Sequence, residues 1–191
     1  MGAAREVTGS AATGARVGLG RRLIAITFGA LLVAAAAQAA VPVPFSPVPM
    51  TLQPLAVLVV GGLLGAAGGV AALVTYLTLG ILGLPVFAGG ASGGLHLVGP
   101  TGGYLLAFPL AAGVVGALTR RHAGVLRVLL ACALGMAVIH VGGVAQLALL
   151  GGNPMLAFRV GFVPFLTGDL LKIGLAAAVI LGLGPKVRGA N

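Results

Sequence analysis

Only two acidic residues occur in this 191-residue chain, Glu6 and Asp169, and only two lysines, Lys172 and Lys186. Asp169 and Lys172 lie three positions apart within an apolar run, so a helix there sets both side chains on one face. Each charge costs roughly 2.5–3.5 kcal/mol inside a membrane span on insertion scales. One reading is an ion pair that neutralises itself. The other is a pocket offering one acceptor and one cation, suited to a ligand with an N–H donor and a carboxylate. The second is favoured because ionisable residues within spans usually serve function.

Thr51 and Gln53 close a proline-rich stretch and enter the next apolar run as polar groups. Thr51 can cap a helix beginning near Pro54, and Gln53 carries both a donor and an acceptor for a ligand. Tyr104 follows Gly102-Gly103 and is either an interface anchor or a pocket wall. Arg159, in an outer loop, meets water or lipid phosphate. Gly90-Ala91-Ser92-Gly93-Gly94 fits G-x-S-x-G, the nucleophile-elbow pattern. With His96 or His140 as base it would serve an intramembrane serine protease. The match is cheap in a glycine-rich run, and no strand-to-helix context surrounds it. No H-E-x-x-H occurs, and two acids supply neither a carboxylate dyad nor an acid-rich metal site. Neither lysine lies in a G-x-x-x-x-G-K-[ST] loop, so the chain has no Walker-type ATP site of its own. The expectation is therefore a non-enzyme with no catalytic residues, no metal and no bound cofactor, driven by another subunit or an ion gradient.

The elements that position these residues are membrane helices. Hydrophobic residues make up 59% of the chain and charged ones 7%, against roughly 25% charged in soluble domains, and mean hydropathy is +1.18. The net charge of +9 would suggest nucleic acid in a soluble protein. Here the basic residues collect between apolar runs: Arg5, Arg16, Arg21 and Arg22 lead, Arg120, Arg121 and Arg127 sit in one central break, and Lys186 and Arg188 close. That is positive-inside patterning, with lipid rather than nucleic acid as partner. Cys132 is the single cysteine, so no disulfide forms within the chain.

Apolar runs cover about 23–41, 54–84, 103–119, 128–150 and 162–183. As one helix the second would measure roughly 46 Å, too long for a core of roughly 30 Å. It contains Gly61-Gly62 and Gly65-Ala66-Ala67-Gly68-Gly69, which weaken a helix. Two helices with a turn near 62–68 are expected, and they return the central basic loop to the cytoplasm. The expected fold is an all-α integral membrane protein of the cytoplasmic membrane, a six-transmembrane-helix bundle with both termini cytoplasmic. Residues 1–20 form a cytoplasmic tail, 21–185 the membrane domain and 186–191 a second tail. A rival reading makes residues 1–39 a signal peptide cleaved after Ala37-Gln38-Ala39, which leaves five spans on the same loop sides. The long leading tail with Glu6 and the small-residue face of the first run weigh against it.

The stretch from Val41 to Met50 holds four prolines and cannot be helical. With 84–94 and the loop opened by Gly151-Gly152-Asn153-Pro154, it puts three irregular loops over one end of the bundle. Such backbone at membrane depth must be buried in protein or line a cavity, so a lidded pocket is expected. On the first helix Ala30, Ala34 and Gln38 recur every four residues, with Ala35 and Ala39 beside them. A face without bulk admits another helix closely, either within the bundle or from a partner.

Four motifs in order resemble the BioY family, the biotin-binding S components of energy-coupling factor (ECF) transporters. They are Pro47-Val48-Pro49-Met50-Thr51-Leu52-Gln53, Gly83-Leu84-Pro85-Val86-Phe87-Ala88-Gly89-Gly90, Gly99-Pro100-Thr101-Gly102-Gly103-Tyr104, and Pro164-Phe165-Leu166-Thr167-Gly168-Asp169-Leu170-Leu171-Lys172. The resemblance spans about 41 to 185 and implies six helices whose outer loops close over biotin. It carries Asp169 and Lys172 over as ligand contacts, and 84–94 as a lid. In that lid Phe87 and Val86 would cover the sulfur ring, and Gly89 and Gly90 would offer backbone alone. It further implies docking, through Ala30 and Ala34, on a module of one transmembrane coupling protein and two ATPases, so that ATP acts only through partners. Some family members work without that module. Alternatives are the intramembrane serine protease and an S component for another small vitamin.

Overall fold

A computed structural model describes residues 3–119 and 123–189; Arg120 and Arg121 lie outside the described residues. The chain folds as helix α1 (Ala3–Gln38), a two-stranded hairpin β1 (Ala40–Val41) and β2 (Met50–Thr51), then α2 (Gln53–Ile81), α3 (Gly102–Leu118), α4 (Val125–Gly151), α5 (Pro154–Gly161) and α6 (Leu166–Gly189). Short 3-10 turns over Ala88–Gly90, Gly94–Val98 and Val163–Phe165 fill the connections.

Among the described residues four helical runs are long and apolar enough to cross a membrane, Gly18–Gln38, Gln53–Ile81, Val125–Gly151 and Pro154–Gly184, and Gly102–Leu118 is a shorter apolar helix. Their outer surfaces expose large aliphatic and aromatic side chains, among them Ile24, Phe28, Leu110, Leu126, Val141, Leu170 and Leu171. Water would penalise such a surface and lipid does not. The chain is a multi-pass membrane protein.

The break expected within 54–84 falls at Gly65, whose φ of 76° and ψ of 177° leave the helical region, a conformation open to glycine. The chain reverses there. Gln53 and Tyr76, 23 positions apart, are hydrogen-bonded at 2.6 Å, whereas a straight helix would hold them roughly 34 Å apart. A methyl group at Gly69 would lie 2.9 Å from the Cα of Gly61, so the two arms touch backbone to backbone. The first arm, 53–64, is roughly 18 Å long, short of the roughly 30 Å hydrocarbon core. The non-helical segment ahead of it continues toward the same end of the bundle, with Ala40 paired to Thr51 and Val41 to Met50.

Glycines set the remaining contacts. A Cβ on Gly61 would come within 2.5 Å of the Ala112 carbonyl oxygen, one on Gly116 within 2.4 Å of the Ala66 nitrogen, and one on Gly103 within 2.2 Å of the Gly142 carbonyl oxygen. Helix backbones that approach this closely gain dispersion contact that lipid cannot supply. Two apolar clusters result, one around Val57, Leu73, Tyr76, Phe87 and Ile139, the other around Leu58, Val115, Val128, Cys132 and Ile180.

Two expectations are corrected. The third outer loop is a helix, α5, begun by Asn153, whose Oδ1 accepts from the Leu156 amide at 3.0 Å, with Pro154 at the first helical position. Ala30 is 1% exposed and packs in the core with Val33, while Ala34 is half-buried against the same cluster. The stripe through Ala30 and Ala34 therefore faces the bundle, and Ala30 is closed to a partner.

Candidate functional site

One end of the bundle gathers a set of polar side chains. Pro164 opens the 3-10 turn that swings the chain into α6, and Asp169 lies in the first turn of that helix. Its Oδ1 accepts from Lys172 Nζ at 3.0 Å, and its Oδ2 meets His140 Nε2, from α4, at 2.6 Å. All three are buried, at 5%, 6% and 8% exposed for Asp169, Lys172 and His140. Charges this deep hold their place only when paired and hydrogen-bonded, and each oxygen of the carboxylate has a donor.

Aromatic rings surround His140: Phe162 edge-on at 4.9 Å, Tyr104 edge-on at 6.1 Å and Phe165 at 6.2 Å. Tyr104 is held in turn by its hydroxyl, which donates to the Gly161 carbonyl at 2.6 Å. Across the cavity a second chain of polar groups runs from Thr51. Its hydroxyl donates to Gln53 Oε1 at 3.1 Å and accepts the Gln53 amide at 3.2 Å. Gln53 Nε2 donates to the Tyr76 hydroxyl at 2.6 Å, which donates on to the Val86 carbonyl at 3.2 Å. The helix begins at Gln53, one residue earlier than expected, and Thr51 braces that start.

These groups line one cavity. Thr51, Gln53, Tyr104, His140, Asp169 and Lys172 meet there with His96 and Thr101, between apolar walls of Val48, Leu105, Phe108, Ile139 and Phe165. About 570 Å³ of space not filled by atoms lies among them, part of it open to solvent. The cavity presents a carboxylate acceptor, an ammonium donor, an amide and aromatic walls, a set of groups suited to an amphipathic ligand.

Five of the expected contact residues are thus brought together: Thr51, Gln53, Tyr104, Asp169 and Lys172. Phe87, Gly89 and Gly90 are not on the cavity; Ala88 is. Phe87 is wholly buried, seated where Gly80 lacks a side chain, edge-on to Tyr76 at 5.7 Å and stacked on His96 at 5.2 Å. It wedges the loop onto α2, and its carbonyl accepts from Gln38 Nε2 at 3.4 Å. Gly89 and Gly90, at φ of 68° and 75°, shape the turn. His96, whose Nε2 lies 3.1 Å from the Thr101 hydroxyl, and His140 are cavity residues that sequence reasoning named only as possible bases for a serine nucleophile. The signal for His140 was its place inside an apolar run, where an ionisable group is costly. Ser92 is exposed, while His96 turns to Thr101 and His140 to Asp169, so the serine-protease constellation is not assembled.

Known proteins agree with this arrangement. A biotin transporter BioY of Thermotoga maritima is 41% identical over 141 residues, covering 74% of this chain and 83% of that one. A biotin transporter BioY of Rhizobium etli is 33% identical over 168 residues, covering 81% and 90%. The crystal structure of the S-component for biotin from an ECF-type ABC transporter superposes with a TM-score of 0.79 at 25% identity, over 85% of this chain and 90% of that one. The BioY family model matches residues 9–189. This chain belongs to the BioY family.

Proposed function

We propose that this protein binds biotin in the outer cavity and takes it across the cytoplasmic membrane as the substrate-specific subunit of an ECF-type transporter. The observation that carries the reading is the buried Asp169–Lys172 pair on the wall of a cavity that joins polar groups to apolar sides, in a chain whose relatives are named biotin transporters. Biotin offers complementary groups: two ureido N–H donors and a carbonyl on one ring, an apolar sulfur ring, and a terminal carboxylate. Asp169 accepts a ureido N–H, Lys172 pairs with an anionic or carbonyl oxygen, and Phe108, Ile139 and Phe165 face the sulfur ring.

Counting the arms of α2 separately gives six crossings, with α1 and α6 each placing a chain end on the cytoplasmic side, and the loops over the cavity acting as its lid. The partner is a module of one transmembrane coupling protein and two ATPases. The docking face lies on the exposed side of α1, around Phe28, Leu31, Leu32 and Ala35, since the Gly18–Gln38 stretch is the least buried of the four long apolar runs.

Binding of labelled biotin to the purified chain, beside thiamine and riboflavin, tests the assignment. Saturable binding of biotin alone is expected; preference for another vitamin would reassign the substrate. Ser92→Ala should leave biotin affinity within about twofold, because the serine is exposed and off the cavity. A protease activity abolished by that substitution would overturn the transporter reading.

A further inference from the structure

Asp169 has two oxygens and two protein partners, and the partners differ in kind. Lys172 belongs to the same helix, one turn on, and its flexible stem lets the ammonium follow a ligand oxygen. His140 comes from a different helix, α4, which packs against α6. A carboxylate accepts only, so the ring nitrogen facing Oδ2 at 2.6 Å carries a proton and Nε2–H is the donor. The other nitrogen, Nδ1, is buried and has no hydrogen-bond partner. Phe162, Tyr104 and Phe165 pack around the ring and supply no carbonyl or carboxylate to it. An N–H on Nδ1 would be buried with no acceptor, whereas one on Nε2 meets the carboxylate, so the tautomer this site favours carries its proton on Nε2.

The geometry points to His140 as a positioning residue for ligand recognition, one that sets the Asp169 carboxylate through Nε2 and has no ring nitrogen left to bond a ligand in the cavity it helps to line. One nitrogen is taken by Asp169 and the other is sealed behind aromatic carbon. With Oδ2 tied to α4 and Oδ1 to Lys172, the carboxylate cannot turn about its own bond, and its remaining lone pairs stay fixed for an N–H donor in the cavity. Without His140 the group hangs from its own helix alone and must be ordered again by each ligand that binds, which weakens affinity.

The inference rests on the biotin reading of the cavity, and its test separates the two. Biotin affinity is measured on the full purified chain. His140→Phe keeps a ring and deletes the donor, and is expected to weaken binding roughly 10- to 100-fold. His140→Gln restores an N–H at similar reach and should return to within about fivefold of the unmodified protein. In an Asp169→Asn background His140→Phe should add less than about threefold, because residues acting through one another are not additive. The nitrogen NMR spectrum of the unmodified protein should show the His140 ring protonated at Nε2 and bare at Nδ1. Independent, multiplying losses in the double variant, a glutamine variant as weak as phenylalanine, or a ring protonated at Nδ1 would each overturn the role. If His140→Phe does not fold, the glutamine variant and the spectrum decide alone. Loss in Asp169→Asn with none in His140→Phe removes His140 and keeps the site; no loss in Asp169→Asn removes both.

Discussion

Lys172→Ala is expected to weaken biotin binding by about 2–5 kcal/mol, the usual effect on binding of truncating one partner of a buried, hydrogen-bonded charge pair. The loss has two sources. The ammonium no longer meets the ligand, and Asp169, 5% exposed, is left with only the His140 contact beside it. Asp169→Asn should cost less, roughly 1.5–3 kcal/mol, since an amide still accepts from Lys172 through its oxygen. Titration calorimetry on the purified variants gives the affinities, and thermal unfolding in detergent gives the stability. The double variant Lys172→Met with Asp169→Asn should recover stability lost by Lys172→Ala and still fail to bind, which separates recognition from folding. Unchanged affinity in both folded single variants would take the pair out of the site.

Gly143→Ala is expected to destabilise the protein by about 1–3 kcal/mol or more. An added methyl would lie about 2.1 Å from three ring atoms of Tyr104. The ring is held in place: its hydroxyl donates to the Gly161 carbonyl at 2.6 Å, and it stands perpendicular to the His140 ring at 6.1 Å. Biotin affinity should fall with stability, because Tyr104 is also a wall of the cavity. Adding Tyr104→Leu to Gly143→Ala should return part of the lost melting temperature by removing the ring that clashes. A Gly143→Ala protein that melts with the unmodified one would show that α3 and α4 can separate freely there.

Much of this was legible in the chain because local rules suffice for it. The reversal within α2 follows from length against bilayer thickness and from a run of glycines, and it falls at Gly65. Asp169 and Lys172 meet because three positions on a helix always bring side chains together. The cap Asn153 with Pro154 after it marks a helix start, and reading that stretch as a loop overlooked a signal that was present. His140 lies 29 positions from Asp169 on another helix, and no local period links the two. Phe87 turns inward because Gly80, on a different segment, leaves a gap for it. The face of Ala30 was undecidable from composition. In lipid, apolar residues serve equally well inside and outside, so polarity does not mark the buried side of α1.

The glycine contacts carry a consequence for how this sequence can drift. At Gly61, Gly69, Gly103, Gly116 and Gly142 a side chain would meet another segment's backbone, so even alanine is excluded without shifting a helix. Leu110, Leu126, Leu130, Val141, Leu170 and Leu171 face outward and can exchange for Ile, Val, Phe or Met at little cost. Substitutions should therefore accumulate on the lipid face while the interior stays almost unchanged. A comparison of pairwise identity would underrate how alike two such bundles are, since the variable residues are the ones that touch nothing but membrane.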